Sequence, residues 1–574
     1  MADPLELLAD RLRPAFERVA GLAGVDPVVR PSEHADAQAN GALPLAKSLG
    51  RPPRDIAAEV LAAVEWEGLG TAELAEPGFL NITFDAGWIA ELVAAVAADD
   101  RLGVATTATP QTVVVDYSAP NVAKEIHIGH LRTTVIGDSL VRMLELVGHT
   151  VVRENHIGDW GRPFGMLIEH LVDLGSDRSA SMAVGDLDAF YKTASAQFEH
   201  DEDFATRARA RVVALQSLDP ETIALWRSLV EQSATHWNDV YGKLGVLLTD
   251  DDIAGESRYW VLLPEVLERL DATGLLEESD GAQVVFPPGF TNREGQPLPL
   301  IVRSQAGAFT YATSDLACVL DRVERVGADT MLYVVGAPQA QHLAMVFAVA
   351  EMAGWLRPPR AAVHVAFGNV LGPDRKMLKS RSGEPVRFVD VVDEAIERGV
   401  AAVGDKNPEL PEAEQRAVGH AVGVGALKYA DLSTDRIRDY VFDWERMLSF
   451  DGNTAPYLQY AHARICSIFR RADVERTSGR GHPPTIAEVP ERALAMRVLG
   501  YPSVVGEALE RWSPHRLCTY LFELASDFTT FYEHCPVLRT DDETRRSRLV
   551  LCDVTARVLE DGLGLLGINA PTRM

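Results

Sequence analysis

Lysine is scarce: eight lysines stand against 47 arginines in 574 residues, so lysines gathered in one short segment carry more weight here than in most chains. Cysteine is scarcer still. Cys318, Cys466, Cys518, Cys535 and Cys552 lie far apart and form no CxxC pair, which argues against a disulfide framework or a cysteine-based zinc site. No apolar run approaches the roughly 18 residues of a membrane span, so no membrane segment is expected. Asp10 and Arg11 interrupt the first apolar stretch, which is therefore no secretory leader, and a cytoplasmic protein is expected. Positive charge is in deficit as well: 55 basic against 83 acidic residues give a net charge of −28. A protein that coats nucleic acid through a general positive field is excluded. Residues 451–574 hold 15 Arg and 16 Asp+Glu, a net of −1, so the first 450 residues carry −27. If any part meets a polyanion, the near-neutral end is the better candidate, with compositional scatter the competing account.

What remains is ordinary globular composition, 47% hydrophobic and 24% charged, in a chain long enough for about three or four domains. Residues 1–108 read as a small α+β unit. Asp3 and Pro4 open a helix over 5–22, further helices are expected at 54–68 and 87–99, and Leu80, Ile82 and Phe84 alternate as in a half-buried strand. From Thr112 the texture changes. Val113-Val114-Val115-Asp116-Tyr117 suits a strand buried on both faces, and a polar loop follows to Gly129. Leu131, Val135, Leu140, Leu144 and Val147 then recur at helical spacing, Gly148 ends the helix, and Thr150–Arg153 is a second strand. This βαβ unit points to a Rossmann-like, doubly wound parallel sheet as the catalytic domain of a multidomain α/β protein, over 109–395. A helical insertion at about 163–248 divides it. Strand-like runs return at Gln283–Phe286, Pro299–Val302, Met331–Val335 and Ala362–Phe367. Residues 396–449 read as a helical connecting segment and 450–574 as an all-α bundle.

Chemistry concentrates in two places. The loop after the first buried strand contains Lys124 and His127-Ile128-Gly129-His130 at a strand-to-helix turn. A helix N-terminus offers free N–H groups to phosphate, glycine permits close approach, and two imidazoles can donate to oxygens that gain charge in a transition state. A surface histidine pair that caps the helix is the plainer alternative. His156-Ile157-Gly158-Asp159 ends the next strand and serves equally as crevice lining or as turn packing. The second place is Arg375-Lys376-Met377-Leu378-Lys379-Ser380-Arg381-Ser382-Gly383, two of the eight lysines in nine residues. A mobile basic loop of this kind can close over a triphosphate. A solvated basic turn is the alternative.

Together these motifs resemble the HIGH and KMSKS signatures of class I aminoacyl-tRNA synthetases. Asp116 to Lys124, Gly158-Asp159-Trp160-Gly161, Tyr311-Ala312-Thr313-Ser314-Asp315, Ser449 to Thr454 and the ending Pro571-Thr572-Arg573-Met574 narrow the resemblance to arginyl-tRNA synthetases, over essentially the whole chain. The resemblance implies that residues 1–108 are the added domain that contacts the outer corner of tRNA, and that 450–574 bind the anticodon. It implies ATP, Mg²⁺, L-arginine and tRNA(Arg) as the partners, no DNA, no zinc, and activation that requires bound tRNA. One departure stands out. Lys376-Met377-Leu378-Lys379-Ser380 has Leu where KMSKS has Ser, and counting back from Gly383 gives Met377 to Arg381 instead, so both registers stay open. Family members often lack a full KMSKS, and the lysine before HIGH, here Lys124, is thought to substitute.

The resemblance gives Lys124, His127, His130, Lys376, Lys379 and Arg381 as the catalytic groups, with Pro120, Gly129 and Ser380 beside the nucleotide. His127, His130, Lys124 and the 375–381 loop are expected to supply positive charge to the phosphates. Arginine is assigned to Ser118, Asn121, His130, Glu256, Tyr311, Asp315 and Gln339. Carboxylates suit a planar five-donor guanidinium because they receive it bidentately, and Asp315 stands one helical turn after Tyr311. A helix N-cap or an ion pair with Arg322 is the structural alternative for Asp315. Four other readings compete. A cysteinyl- or methionyl-type relative lacks its zinc ligands here, and a valyl- or isoleucyl-type enzyme lacks room for its editing insertion. A small-molecule nucleotidyltransferase would not need the C-terminal helices. A catalytically inactive paralogue acting as an RNA-binding module would not need His127, His130 and Asp315.

Overall fold

A computed structural model describes residues 3–175, 187–379 and 386–574. The N-terminal part runs α1 (Pro4–Ala20), β1 (Val29–Pro31), β2 (Ala37–Ala39), α2 (Ala42–Leu49), α3 (Pro53–Ala63), β3 (Gly70–Ala75), β4 (Phe79–Phe84) and α4 (Ala86–Ala98). Asp3 caps α1 as its sequence requires, accepting from the Leu5 N–H at 2.7 Å. The four strands form an antiparallel sheet in the order β1-β2-β4-β3. Only β4 was legible in advance. The strands β1 and β2 are three residues each, and β3 is short of β-branched residues, so neither shows a period of two. The helix expected at 54–68 ends at Ala63.

The middle of the chain continues with β5 (Thr112–Asp116), α5 (Gly129–Leu146), β6 (Thr150–Glu154), α6 (Arg162–Leu174), α7 (Leu187–His200), α8 (Glu202–Gln216), α9 (Pro220–Leu244), α10 (Glu256–Tyr259) and α11 (Leu263–Ala272). Then come β7 (Glu277–Ser279), β8 (Ala282–Val285), β9 (Leu300–Arg303), α12 (Tyr311–Asp321), β10 (Thr330–Tyr333), α13 (Ala340–Met352), β11 (Ala361–His364) and β12 (Val370–Leu371). The parallel sheet is β11-β10-β5-β6. From β5 the chain winds one way to β6, and after the helical insertion it returns on the other side through β10 and β11. The switch point therefore lies between β5 and β10, where an open α/β sheet presents a crevice at its carboxyl ends. Two of the expected strands belong elsewhere: β8 pairs antiparallel with both β7 and β9 in a separate sheet.

The remaining elements are α14 (Phe388–Lys406), α15 (Glu412–Leu432), β13 (Tyr440–Val441), α16 (Trp444–Met447), α17 (Ala455–Ala472), α18 (Val489–Leu499), α19 (Tyr501–Glu510), α20 (His515–His534) and α21 (Asp542–Leu565). Helix α14 starts at Phe388, before the expected 396, and β13 pairs with β12 in a two-residue ladder too short for periodicity to reveal. The chain forms two compact units, 1–106 with 403–425 and 448–574, and 107–402 with 426–447. In the first, α4 packs on α18 and α21. Arg492 of α18 binds the Asp36 carboxylate through Nε at 2.9 Å and the Phe84 carbonyl at 2.6 Å. Arg557 of α21 donates to the carbonyls of Ala97 and Asp99, each at 2.7 Å. Among the described residues, no helix is long and apolar enough to cross a membrane.

In the second unit the Arg322 guanidinium is fully buried after α12. It donates from Nη2 to Asp116 and from Nε to Glu154, both at 2.7 Å, and lies 4.7 Å from the Tyr333 ring centre. These residues sit at the ends of β5, β6 and β10. One side chain therefore ties three strand ends to one helix. Arg322→Leu would leave two buried carboxylates without their cation. A loss of about 3–5 kcal/mol in denaturant unfolding is expected at pH 7.

Candidate active site

The segment between β5 and α5 is held in an unusual path. Ser118, Ala119 and Ala123 all adopt positive φ, at 73°, 50° and 58°. Such conformations cost on the order of 1–3 kcal/mol each and persist where surrounding contacts over-determine them. Those contacts come from α9 and from the end of β6. Ser233 Oγ accepts from the Ala123 N–H at 2.9 Å, and Asn155 Oδ1 accepts from Ala119 at 3.0 Å. Ser118 is buried, with its hydroxyl 2.5 Å from Tyr241 Oη and accepting from Thr134 at 3.0 Å. These bonds brace the loop. Pro120 is buried and its carbonyl accepts from Gly158 at 3.0 Å, while the exposed Asn121 bridges to Gly158. The second His-x-Gly-Asp string is thus a brace under the first.

His127 is exposed and His130 half-buried, with ring centres 4.3 Å apart. His127 Nδ1 accepts from the Gly129 N–H at 3.1 Å, which leaves the proton of the neutral ring on Nε2. A β-carbon at Gly129 would lie 2.8 Å from the His127 ring, so the fold-back requires glycine. Two expectations change here. The first amides of α5 are not free: besides Gly129, His130 donates to the His127 carbonyl at 2.8 Å and Leu131 to that of Ile128 at 3.1 Å. Nor are the histidines cations. Burial lowers His127, and burial together with His127 lowers His130 to about 4. At neutral pH both are neutral, and any donation to an oxygen is dipolar.

Lys124 is exposed, and its ammonium lies 4.6 Å from the ring centre of Tyr191 in α7, a contact that spacing along the chain does not reveal. Arg375, Lys376 and Lys379 are exposed on a turn closed by the Gly372 N–H on the Lys376 carbonyl at 2.7 Å. Ser380 and Arg381 lie outside the described residues.

A second cluster is acidic. The segment 252–257 runs beside the end of β6: Asn155 donates to Asp252, Ala254 to Asn155 and Glu256 to Ile157, at 2.8, 3.0 and 3.1 Å. Asp159, buried, receives the N–H and hydroxyl of Ser257 at 2.9 and 2.6 Å. Gly255 lies against that carboxylate, where a β-carbon would sit 2.3 Å from Asp159 Oδ2. Burial, then Asp159, then Asp315 push Glu256 up to about 7. Its helix α10 packs on α12, which carries Tyr311 and Asp315. The residue at the N-cap of α12 is Thr310, and Arg322 is committed to Asp116 and Glu154, so neither structural alternative for Asp315 holds. Asp315 instead meets His342 of α13, Nε2 to Oδ2 2.5 Å, and this pair raises His342. The sequence reading missed His342, since nothing in the spacing joins it to Asp315. Tyr311 is 77% exposed, and Gln339 is exposed in the turn before α13.

In the first unit a cavity of about 640 Å³ is lined by Tyr460, Arg464, Arg470, Arg471, Tyr532 and Arg573, among others. The Arg464 guanidinium lies 4.9 Å from the Tyr460 ring centre and 5.4 Å from that of Tyr532.

Comparison with known proteins accounts for both regions. Residues 91–444 match the family model described as tRNA synthetases class I (R), catalytic domain, so the parallel-sheet unit is that of a class I synthetase. Residues 458–574 match the DALR anticodon binding domain, and residues 6–84 the arginyl tRNA synthetase N terminal domain. The chain is 51% identical over 579 residues to the arginine–tRNA ligase of Thermobifida fusca, covering 100% of both, and 44% identical over 573 residues to that of Escherichia coli K12, covering 99% of both. It therefore belongs to the arginyl-tRNA synthetase family. The solved arginyl-tRNA synthetase of Thermus thermophilus superposes with a TM-score of 0.80 at 25% identity, over 99% of this chain and 100% of that one. The Plasmodium falciparum enzyme gives 0.86 at 24%, over 99% of each, and shares the fold.

The close approach of Gly255 to Asp159 has a measurable consequence. Gly255→Ala should lower unfolding stability by about 1–3 kcal/mol, since the added methyl overpacks a bonded carboxylate. Gly87→Ala, in a helix with nothing within 4 Å of the added carbon, should be neutral or slightly stabilising.

Proposed function

We propose that the crevice between β5 and β10 is where this chain carries out its family's reaction, the ATP-dependent joining of arginine to tRNA. The observation that carries the reading is the crowding of Asp159, Glu256 and Asp315, where among the described residues no lysine or arginine pairs with Glu256 or Asp315. Burial, with Asp159 and then Asp315 beside it, raises Glu256 to about 7, and a guanidinium is the cation that would favour its ionised form. Asp315 and Glu256 are assigned to the substrate guanidinium, Tyr311 to its aliphatic stem, and Asn121, His130 and Gln339 to its α-amino and carboxylate end.

The arginine carboxylate is ionised at pH 7, so its attack on the α-phosphorus needs no general base. An oxygen–phosphorus bond forms, the bond to the bridging oxygen breaks, and pyrophosphate leaves. The chain's task is orientation and stabilisation of charge. His127 and His130 are assigned as neutral Nε2–H donors. Lys124 and the lysines at 376 and 379 supply the cations, with Ser380 and Arg381 completing that loop by resemblance. Mg²⁺ belongs to the nucleotide as substrate. The groups at the phosphate end are imidazoles and ammonium ions rather than a set of carboxylates, and no step is assigned to the ion. The adenylate then passes to the terminal ribose of tRNA. Two features of the free chain support activation that waits for tRNA: Tyr311 stands in solvent and Lys124 rests on Tyr191. The cavity around Arg464 suits the anticodon arm, since tyrosine faces stack bases and arginines meet phosphates.

Asp315→Asn tests the assignment. Arginine kcat/KM in aminoacylation should fall roughly 30- to 4000-fold, the effect of removing one buried charged partner, while ATP KM changes little. Rejection of citrulline, the neutral isostere, should weaken at the same time. If arginine use and citrulline rejection both hold, the pocket lies elsewhere. A pH series adds a second check. Glu256 must be ionised to receive the guanidinium, so arginine KM should be about tenfold higher at pH 6 than at pH 8. In Glu256→Gln that dependence should flatten.

A further inference from the structure

We propose that His342 is a positioning residue of the guanidinium site, fixing the Asp315 carboxylate through its Nε2 and thereby setting arginine affinity and specificity. The inference rests on the assignment of Asp315 to the guanidinium. Its basis is geometric. His342 stands in the first turn of α13, directly after the crevice end of β10, and reaches across to α12. Its Nε2 lies 2.5 Å from Asp315 Oδ2, with the two side chains 32% and 28% exposed, so the pair forms part of the crevice wall. An aspartate carboxylate rotates about its last bond unless something holds it, and a bidentate guanidinium rewards only one orientation of its plane. The contact with His342 holds Oδ2 and leaves Oδ1 and the remaining lone pairs for substrate.

The surroundings make the contact more than a tether. The groups that bear on the pair are acids: Glu256 from α10, and behind it Asp159 from the end of β6. His342 gives Asp315 a hydrogen-bonding partner, while burial, then Asp159, then Asp315 raise Glu256. Asp315 is then the oriented acceptor that the planar fork meets, and Glu256 the carboxyl that ionises as the guanidinium arrives. A lysine ammonium reaching the same pocket finds one oriented acceptor and cannot use both oxygens evenly, so loss of the orienting contact should blunt discrimination as well as affinity.

The test uses the full-length chain with tRNA in steady-state aminoacylation. His342→Ala and His342→Asn, whose amide is too short to reach Asp315, should each raise arginine KM roughly ten- to hundredfold. Values of kcat and ATP KM should stay within about threefold, and rejection of lysine and citrulline should weaken. His342→Gln, whose amide can occupy the Nε2 position, should recover most of the arginine KM. In an Asp315→Asn background, His342→Ala should add less than about threefold, because the two residues act through one contact. Thermal melting confirms that each variant is folded. An unchanged arginine KM in folded His342→Asn, with Asp315→Asn strongly impaired, overturns the role of His342 alone. An unchanged KM in Asp315→Asn overturns the site assignment beneath it. A fall in kcat with KM unchanged, or no recovery in His342→Gln, would make His342 a packing residue and also overturns the proposal.

Discussion

A buried guanidinium, that of Arg322, ties helix α12 to the crevice ends of β5, β6 and β10, and the rest of the site is built out from that tie. Asp116 and Glu154, both buried, receive it through charge-assisted hydrogen bonds. Because Arg322 follows α12, fixing it fixes the direction in which the helix runs back to Asp315 and Tyr311. The segment around Glu256 is set against the same strand end through Asn155 and Ile157. The chain thus satisfies one guanidinium of its own with two carboxylates, and about two helical turns earlier holds Asp315 opposite Glu256 with, among the described residues, no arginine paired to either. The first arrangement is closed and structural. The second is open and charged, as a binding site for the same chemical group would be.

The phosphate end follows a different logic. The signature histidines are folded over Gly129, neutral, and consume the first amides of α5, so the loop is not a ready-made anion hole. On the proposed reading cations complete it, with Lys124, Lys376 and Lys379 as the candidates. Neutral donors carry little charge in the ground state, and they strengthen as charge develops on the transferring group. That difference between ground and transition state is what accelerates a reaction. The helical insertion contributes as well, since Tyr241 and Ser233 of α9 hold the strained loop and Tyr191 of α7 holds Lys124.

Much of this was legible in the sequence, for identifiable reasons. The run Val113–Val115 and the helix after Gly129 have clear periods, so the βαβ unit and its loop could be placed, and the resemblance supplied the candidates at 127, 130, 256 and 315. Short strands without a period escaped, as did the separation of β8 and β9 from the parallel sheet, because pairing is a long-range property that a strand's own residues do not record. Electrostatics escaped more completely. That His130 is neutral depends on burial, and that Asp315 pairs with His342 rather than Arg322 depends on which residues wins the competition for Arg322, namely Asp116 and Glu154. Neither can be read from spacing along the chain.

The central claim is that the open carboxylate pair of α10 and α12 is filled by the substrate guanidinium. A crystal structure of the full chain with L-arginine tests it most directly. The account expects the guanidinium nitrogens within about 3 Å of both Glu256 and Asp315, with Arg322 still on Asp116 and Glu154. A guanidinium bound away from Asp315, or an arginine lying in the crevice with its α-amino end at the carboxylates, would contradict it.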